Sequence, residues 1–229
     1  MIGIIGAMVS EIEGLQQEMT DTEITETGMN VFTAGKLCGR DVVISVCGPG
    51  KVNAALCTQA MIILYRPDMI LNIGVAGSGD KSVGIFDMVI GTAAVQHDMD
   101  TSPIGDPVCY VSRIGLIEIP CDDSLRKNLR EAAEAEGIRC HEGIIATGDQ
   151  FICGAEQKNA IRARCTPLAV EMEGAAVAHA CYMHGVKCGI LRSVSDNADG
   201  KAEVDYPVFA ERAAAETHRV VKRMLESML

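Results

Sequence analysis

Short apolar runs alternate with amphipathic segments along the whole chain. The run Ile2-Gly3-Ile4-Ile5-Gly6 predicts a buried strand, and apolar residues at helical spacing predict a helix over residues 8–19. The same alternation continues to the carboxyl end. It predicts further strands at 23–26, 30–34, 41–47, 69–73, 87–95, 143–146, 168–170 and 187–194, and further helices at 52–65, 123–136, 157–164, 174–184 and 205–229.

This order of elements indicates the fold class. Strands that alternate with helices are typical of α/β proteins, in which helices cover both faces of the sheet. We therefore predict a three-layer α-β-α sandwich around a central, mostly parallel mixed β-sheet. Because the sequence contains no linker-like segment or internal repeat, residues 1–229 are predicted to form a single domain. Ligands of such sheets bind at the carboxyl ends of strands, so polar residues just beyond those ends are the site candidates.

Charge and cysteine usage narrow the function classes. The formal net charge of −11 argues against nucleic acid or an anionic membrane as a partner. The apolar runs are too short to span a bilayer, and residues 1–5 lack the length and basic start of a signal peptide. None of the ten cysteines is spaced as CxxC, so neither a structural zinc site nor a thioredoxin-type motif is expected. We expect a cytoplasmic protein with reduced thiols and no metal.

Three patterns that would indicate other chemistry are incomplete. The first strand and turn align only two of the three glycines of a dinucleotide-binding fingerprint. Gly50-Lys51 lacks the flanking residues of a phosphate-binding loop. His97-Asp98-Met99-Asp100 is interpreted as a polar loop cluster rather than a metal site, since its alternation separates the histidine from the aspartates on an extended chain.

Two polar clusters remain at predicted strand ends. Val170-Glu171-Met172-Glu173-Gly174 places two carboxylates where a strand gives way to a helix. Arg192-Ser193-Val194-Ser195-Asp196 ends another strand. Acidic residues are also favoured at a solvated helix start, and Ser or Asp is favoured as a helix N-cap. The two patterns by themselves leave both interpretations open.

An ordered set of motifs resolves this ambiguity. The set runs over nearly the whole chain and comprises Ile4-Ile5-Gly6-Ala7-Met8 with Glu11, Gly48-x-Gly50-Lys51-Val52-Asn53-Ala54-Ala55, Gly74-Val75-Ala76-Gly77, His97-Asp98-x-Asp100, Thr147-Gly148-Asp149-x-Phe151-Ile152, Val170-Glu171-Met172-Glu173 and Ser195-Asp196-x-Ala198-Asp199. With these motifs the chain resembles the 5′-methylthioadenosine/S-adenosylhomocysteine nucleosidases, within the purine nucleoside phosphorylase and uridine phosphorylase fold family. The resemblance implies a nucleoside phosphorylase-like fold, a homodimer and no cofactor.

The resemblance also implies a reaction. The family hydrolyses the N-glycosidic bond of 5′-methylthioadenosine and S-adenosylhomocysteine, and we expect 5′-deoxyadenosine to react as well, with release of adenine. Bond cleavage builds positive charge on the ribose and negative charge on the purine. By resemblance, Asp196 is the acid that protonates purine N7, and Glu11 is the base that activates water on the opposite face of the sugar.

The remaining family roles fall on residues that bind substrate. By resemblance, Glu173 holds the ribose hydroxyls, Met172 contacts the ribose, and Glu171 and Arg192 order the water and the sugar. Around the purine, Phe151 stacks on adenine, Ile152 contacts its edge, and Ser195 orients the acid or the purine base. Met8 and Tyr206 line the 5′-thio side, and Ala76 and Gly77 are further matched positions. Thr101 and Ile104 are expected to reach the 5′ pocket of the partner subunit.

Two positions favour hydrolysis over phosphorolysis. Asn72 and Val75 stand where phosphorylase relatives have an arginine and a small hydroxyl residue of the phosphate pocket. The alternatives are a nucleoside phosphorylase, another purine nucleosidase such as one acting on a menaquinone-pathway nucleoside, a dinucleotide oxidoreductase, and a binding module without activity. Phosphate dependence, a substrate panel and cofactor binding separate them. Val75 and the unusual loop 101–112 leave the preference among 5′ substituents open.

Overall fold

The elements follow the predicted order closely. The computed structural model describes residues 1–196 and 202–228, without the side chains of 196 and 202–210. The strands are β1 (Ile2–Gly6), β2 (Thr20–Thr27), β3 (Asn30–Leu37), β4 (Arg40–Val46), β5 (Met69–Ser78), β6 (Met88–Gln96), β7 (Ile119–Pro120), β8 (Cys140–Thr147), β9 (Ala169–Glu171) and β10 (Lys187–Asp196). The helices are α1 (Val9–Gln17), α2 (Lys51–Tyr65), α3 (Asp123–Ala135), α4 (Ala155–Cys165), α5 (Gly174–His184) and α6 (Ala202–Ser227), with a 3₁₀ turn at Ser102–Ile104.

The strands form one mixed sheet that closes on itself at one end. β1 lies between β4 and β5 and is parallel to both. β4, β3 and β2 extend the open end as antiparallel neighbours. At the other end β10 pairs with both β5 and β6, and β8 and β9 complete the circuit back to β5. The closed circuit brings strands distant in sequence around one common space.

Helices cover both faces, as predicted. α2 and α5 pack against each other on one side of the sheet, while α6 contacts both α1 and α3 on the other side. Each layer has its own aliphatic core, one centred on residues such as Met61 and Val177 and the other on residues such as Leu15 and Leu129. Among the described residues, no helix is both long and apolar enough to cross a bilayer.

Antiparallel pairing is more extensive than the sequence suggested. β9 is a three-residue strand antiparallel to β5, and β7 is a two-residue strand antiparallel to β6. β7 was not predicted, because two residues are too few to show a strand periodicity. The sheet is therefore mixed, with its parallel pairs concentrated around β1, β8 and β10.

The glycine-rich segment after residue 73 is part of a strand. The sequence predicts a strand that ends at Ile73, whereas β5 continues to Ser78 because it pairs with β10 on one side and with β9 on the other. Ala76 and Gly77, expected just beyond the strand end, therefore lie within the strand. Gly74 is required by packing, since a Cβ there would lie 2.5 Å from Glu11 Oε1.

Candidate active site

Most of the predicted site residues line one pocket. It opens between the ends of β1, β8, β9 and β10 and the carboxyl-terminal part of β5, and encloses about 680 Å³ of space, some of it open to solvent. This size is typical of small-molecule sites. The predicted residues that line it are Met8, Glu11, Ala76, Gly77, Phe151, Ile152, Glu171, Met172, Glu173 and Ser195. We call it the central pocket.

Five further residues line the central pocket without having been predicted as site residues. They are Ala7, Pro49, Val75, Gln150 and Val170. Each is a direct neighbour of a predicted residue or lies inside a recognised motif, so the motifs themselves carried the signal. Their own side chains are apolar or neutral, and neither composition nor spacing distinguishes such residues from core residues.

Glu11 is held by backbone N–H groups from the end of β1 and from within β5. Its side chain is buried, and Oε2 accepts hydrogen bonds from the backbone N–H groups of Ala7 (2.7 Å) and Met8 (2.9 Å). Oε1 accepts from the N–H of Val75 at 3.0 Å. An ionised carboxylate offers about four lone-pair sites. Three backbone donors fix the orientation of Glu11 and leave acceptor capacity for one ligand in the central pocket.

Arg192 is buried behind the central pocket rather than lining it. Its guanidinium bonds Glu171 Oε2 through Nε (3.2 Å) and through Nη2, and it bonds the carbonyl oxygens of Asn72 and Leu191 through Nη1, both at 3.2 Å. A further bond joins Nη2 to Asn72 Oδ1. All five N–H donors of the guanidinium are thereby used within the protein. Arg192 orients Glu171 and has no donor left for direct contact with the water or the sugar.

Glu173 faces the start of α2 from the other side of the central pocket. Its Oε1 accepts from the backbone N–H of Gly50 at 2.9 Å, and the next N–H, that of Lys51, donates to Asp149 Oδ1 at 2.7 Å. Asp149 thus has a structural role, since it accepts from the first N–H of α2. Burial, together with the nearby Glu171 carboxylate, raises the pKa of Glu173 to about 7.

The raised pKa of Glu173 predicts a pH-dependent stability difference. The folded state binds the proton more tightly than the unfolded state, so the stabilisation by this group is complete below the ordinary pKa of 4.5 and is lost as pH rises toward 7. Glu173→Gln is therefore expected to raise the stability of the substrate-free protein at pH 8.5 by about 2–3 kcal/mol, and to change it little at pH 4.5. Thermal melts at both pH values measure this. Glu26→Gln, at an exposed position, serves as the control. Equal melting temperatures for wild type and Glu173→Gln at pH 8.5 would contradict the predicted stability difference.

The residues predicted to surround the base differ in exposure. Ile152 is buried, Met172 is half-buried, and the Phe151 side chain is 53% exposed at the pocket mouth. Ser195 is buried and donates to the carbonyl oxygen of Ala76 at 3.5 Å. An apolar rim of this kind suits the flat faces of a purine.

Besides Arg192, four predicted residues are not seen lining the central pocket in the described part of the chain. Thr101 and Ile104 do not line it within this chain; Thr101 donates to Asp106, and the Ile104 side chain is 82% exposed. The side chains of Asp196 and Tyr206 lie outside the described residues. The backbone of Asp196 pairs with Gly77 across a β-bulge that follows Val194, so the chain passes the central pocket at that position.

The ionisable side chains that line the central pocket are all carboxylates, and one of them, Glu171, is paired with Arg192 behind the pocket. Glu11, Glu171 and Glu173 line it, and no Lys, Arg or His does so within the described part of the chain. In that same part, no group of three or more His, Cys, Asp or Glu is arranged to hold a metal ion. The arrangement therefore favours a ligand that develops positive charge, and it disfavours an anion such as phosphate.

The comparisons with known proteins agree with this geometry. The family model described as the phosphorylase superfamily matches residues 1–226. The aminodeoxyfutalosine nucleosidase of Helicobacter pylori is 36% identical, covering 99% of this chain and 98% of the relative. The 5′-methylthioadenosine/S-adenosylhomocysteine nucleosidase of Staphylococcus saprophyticus is 34% identical over the full length of both chains. The enzyme of the same name from Neisseria meningitidis, solved with methylthio-immucillin-A, superposes with a TM-score of 0.94 at 34% identity, covering 99% of this chain and 98% of that one. The predicted fold and family resemblance are thereby confirmed.

Proposed function

The chain belongs to the phosphorylase superfamily, and we propose that it hydrolyses the N-glycosidic bond of 5′-methylthioadenosine and S-adenosylhomocysteine, with 5′-deoxyadenosine as a further substrate. The products are adenine and the corresponding thioribose or deoxyribose. Full-length similarity to nucleosidases of this name supports the proposal. The observation that carries it is the convergence of three carboxylates on one pocket of nucleoside size whose described lining includes no Lys, Arg or His.

Glu11 activates the water. Its carboxylate is fixed by three backbone N–H groups and retains acceptor capacity toward the central pocket. A carboxylate in that state is suited to take a proton from water as the water attacks C1′. Asp196, by resemblance, donates a proton to purine N7 from the opposite side, as the acid does in an inverting glycosidase.

Glu173 stabilises the ribosyl group. Its carboxylate is oriented by the Gly50 N–H at the start of α2 and faces the same space as Glu11. It accepts hydrogen bonds from the ribose hydroxyls. Its negative charge stabilises the oxocarbenium-like transition state more than the neutral substrate. Next to Glu173, Glu171 forms an ion pair with the buried Arg192, which fixes the orientation of the Glu171 carboxylate.

Water is the acceptor rather than phosphate. A phosphorylase needs cationic groups to hold a dianion beside the reacting sugar. Asn72, at a position where phosphorylase relatives have an arginine, is fully buried and bonded to Arg192 and to the carbonyl oxygen of Ile5. Val75 has no side-chain hydroxyl to offer a phosphate, and its backbone N–H donates to Glu11.

The assay of this proposal measures adenine release from 5′-methylthioadenosine in phosphate-free buffer. The wild type is expected to turn over without phosphate, and Asp196→Asn is expected to be slower by about 10²–10⁴-fold because it lacks the acid. Turnover only after phosphate addition would assign the protein to the phosphorylases. Equal rates for wild type and Asp196→Asn would show that Asp196 is not the general acid.

A second candidate substrate is aminodeoxyfutalosine. The Helicobacter pylori relative that carries this name is 36% identical over nearly the whole chain, which is as similar as the methylthioadenosine nucleosidases. The same adenine assay with this nucleoside, compared through kcat/KM with 5′-methylthioadenosine, ranks the two substrates. A clear preference for aminodeoxyfutalosine would replace the first proposal as the main activity.

We further propose a cytoplasmic homodimer in which residues 1–229 act as one nucleosidase domain. Apolar side chains of α2 and α5 stand exposed on one face, namely Val52, Leu56, Ile63, Tyr182 and Met183. A second copy covering this face would remove them from water. Thr101 and Ile104 then contribute to the 5′ pocket of the partner subunit, as the family resemblance implies. The ten free cysteines suit a reducing compartment. Sedimentation equilibrium distinguishes the dimer from a monomer.

A further inference from the structure

The first turn of α5 is capped by two side chains from outside the helix. Glu171 Oε2 accepts from the backbone N–H groups of Glu173 (3.0 Å) and Gly174 (2.7 Å). The next N–H, that of Ala175, donates to Thr147 Oγ1 at 2.8 Å. The N-terminal N–H groups of a helix have no partner within it, and here Glu171 and Thr147 supply the acceptors.

Thr147 also holds the capping carboxylate itself. Its hydroxyl donates to Glu171 Oε1, and the two residues lie opposite each other in the parallel register of β8 and β9. Thr147 is fully buried and does not line the central pocket. One hydroxyl thus joins the end of β8 to both Glu171 and the first turn of α5.

Arg192 holds the same carboxylate from the opposite side. It bonds Glu171 Oε2, and its remaining donors are anchored on Asn72 of β5 and on Leu191. Glu171 is therefore fixed at both oxygens, by Thr147 at Oε1 and by Arg192 at Oε2. Loss of either partner leaves the carboxylate and the helix start free to shift.

We propose that Thr147 is a positioning residue for the reaction: through Glu171 and the Ala175 N–H it holds the start of α5, and with it Glu173, in the geometry that the ribosyl group requires. This inference rests on the proposed function, in which Glu173 contacts the ribose. Glu173 is the residue immediately before α5, so any shift of the first turn moves its backbone. A displacement of about 1 Å at a reacting group costs roughly 10²-fold in rate.

The variants separate the hydroxyl from the volume of the side chain. Thr147→Val keeps the shape but offers neither donor nor acceptor, whereas Thr147→Ser keeps the hydroxyl. The matched control is Thr58→Val, because Thr58 is also fully buried and its hydroxyl donates to the Ala54 carbonyl oxygen within the same helix, α2, at 2.7 Å. If Thr147→Val does not fold, Thr147→Cys, with its weak donor, replaces it.

Two measurements test the proposal. In the adenine assay, Thr147→Val is expected to lower kcat by about 10- to 100-fold, while Thr147→Ser and Thr58→Val stay near wild type. In native-state hydrogen exchange, the amides of Glu173, Gly174 and Ala175 are expected to exchange about tenfold faster in Thr147→Val, with the rates restored in Thr147→Ser.

Three results would overturn it. Wild-type kcat in Thr147→Val, wild-type exchange of the three amides, or a Thr147→Ser variant as impaired as Thr147→Val would each show that the hydroxyl does not position Glu173. If the wild type releases no adenine from any nucleoside, the proposed function fails separately. The exchange measurement, which needs no substrate, then decides whether Thr147 holds the start of α5.

Discussion

Replacing Glu11 by glutamine is expected to lower kcat for adenine release by about 10²–10⁴-fold, since an amide cannot take the proton from water. The effect is expected in kcat more than in KM, because in the proposed mechanism Glu11 acts on the water rather than on the nucleoside. The amide also introduces an NH₂ group at a carboxyl whose two oxygens both accept backbone N–H donors. A modest loss of stability is therefore expected alongside the loss of rate.

The exposed Glu13 on the same helix is the matched control for this experiment. Glu13→Gln makes the same chemical change on the solvent side of α1 and is expected to leave kcat within about twofold, since surface substitutions away from special contacts have small effects. Single-turnover kinetics together with a thermal melt separate chemistry from folding. A folded Glu11→Gln variant with more than about a tenth of the wild-type kcat would contradict the role of Glu11 as the base.

Replacing Arg192 by methionine is expected to cost about 3–5 kcal/mol of folding stability. The guanidinium is 1% exposed and makes the contacts that compensate the buried Glu171 charge. Without it, Glu171 remains as a buried carboxylate with no cation, and the Asn72 side-chain oxygen loses its donor. Urea or thermal unfolding measures the loss directly.

Two further variants define the origin of that loss. The double variant Arg192→Met with Glu171→Gln is expected to recover part of the stability, because it removes the uncompensated charge. Arg130→Met is the surface control: Arg130 bonds Glu142 at 3.1 Å but is 44% exposed, and an exposed pair contributes about 0–1 kcal/mol. An Arg192→Met variant as stable as Arg130→Met would mean that Glu171 does not depend on its buried partner.

The local elements could be predicted from the sequence because their signals are local. The amphipathic spacing of Leu125 and Leu129 marks α3, and Asp122 caps it by accepting from the N–H groups of Ser124 and Leu125, both at 3.0 Å. Such signals involve residues a few positions apart. β7 and the extension of β5 carry no such signal, because they depend on strands elsewhere in the chain.

The identity of the candidate site followed from motifs, but its geometry did not. Glu11, Glu171 and Glu173 were recognised as site residues from the sequence, and the central pocket contains all three. Their hydrogen-bond partners were not predicted. By resemblance, Arg192 was expected to order the water and the sugar together with Glu171; the structure adds that its donors bond Glu171, Asn72 and Leu191 behind the central pocket. A sequence does not indicate which way an arginine at a strand end points.

The order of the strands and helices apart from β7, the family, and the residues that carry the charge of the site could be predicted from the sequence. Those properties depend on neighbouring residues and on motifs read in order along the chain. The tertiary structure alone decided how the charges are held: Val75 donates to Glu11 from 64 positions away, and Arg192 bonds Asn72 across 120 positions. It also decided the raised pKa of Glu173, which arises from burial beside Glu171. Distance, burial and hydrogen-bond direction exist only after the sheet has closed, and these quantities set the chemistry of a carboxylate.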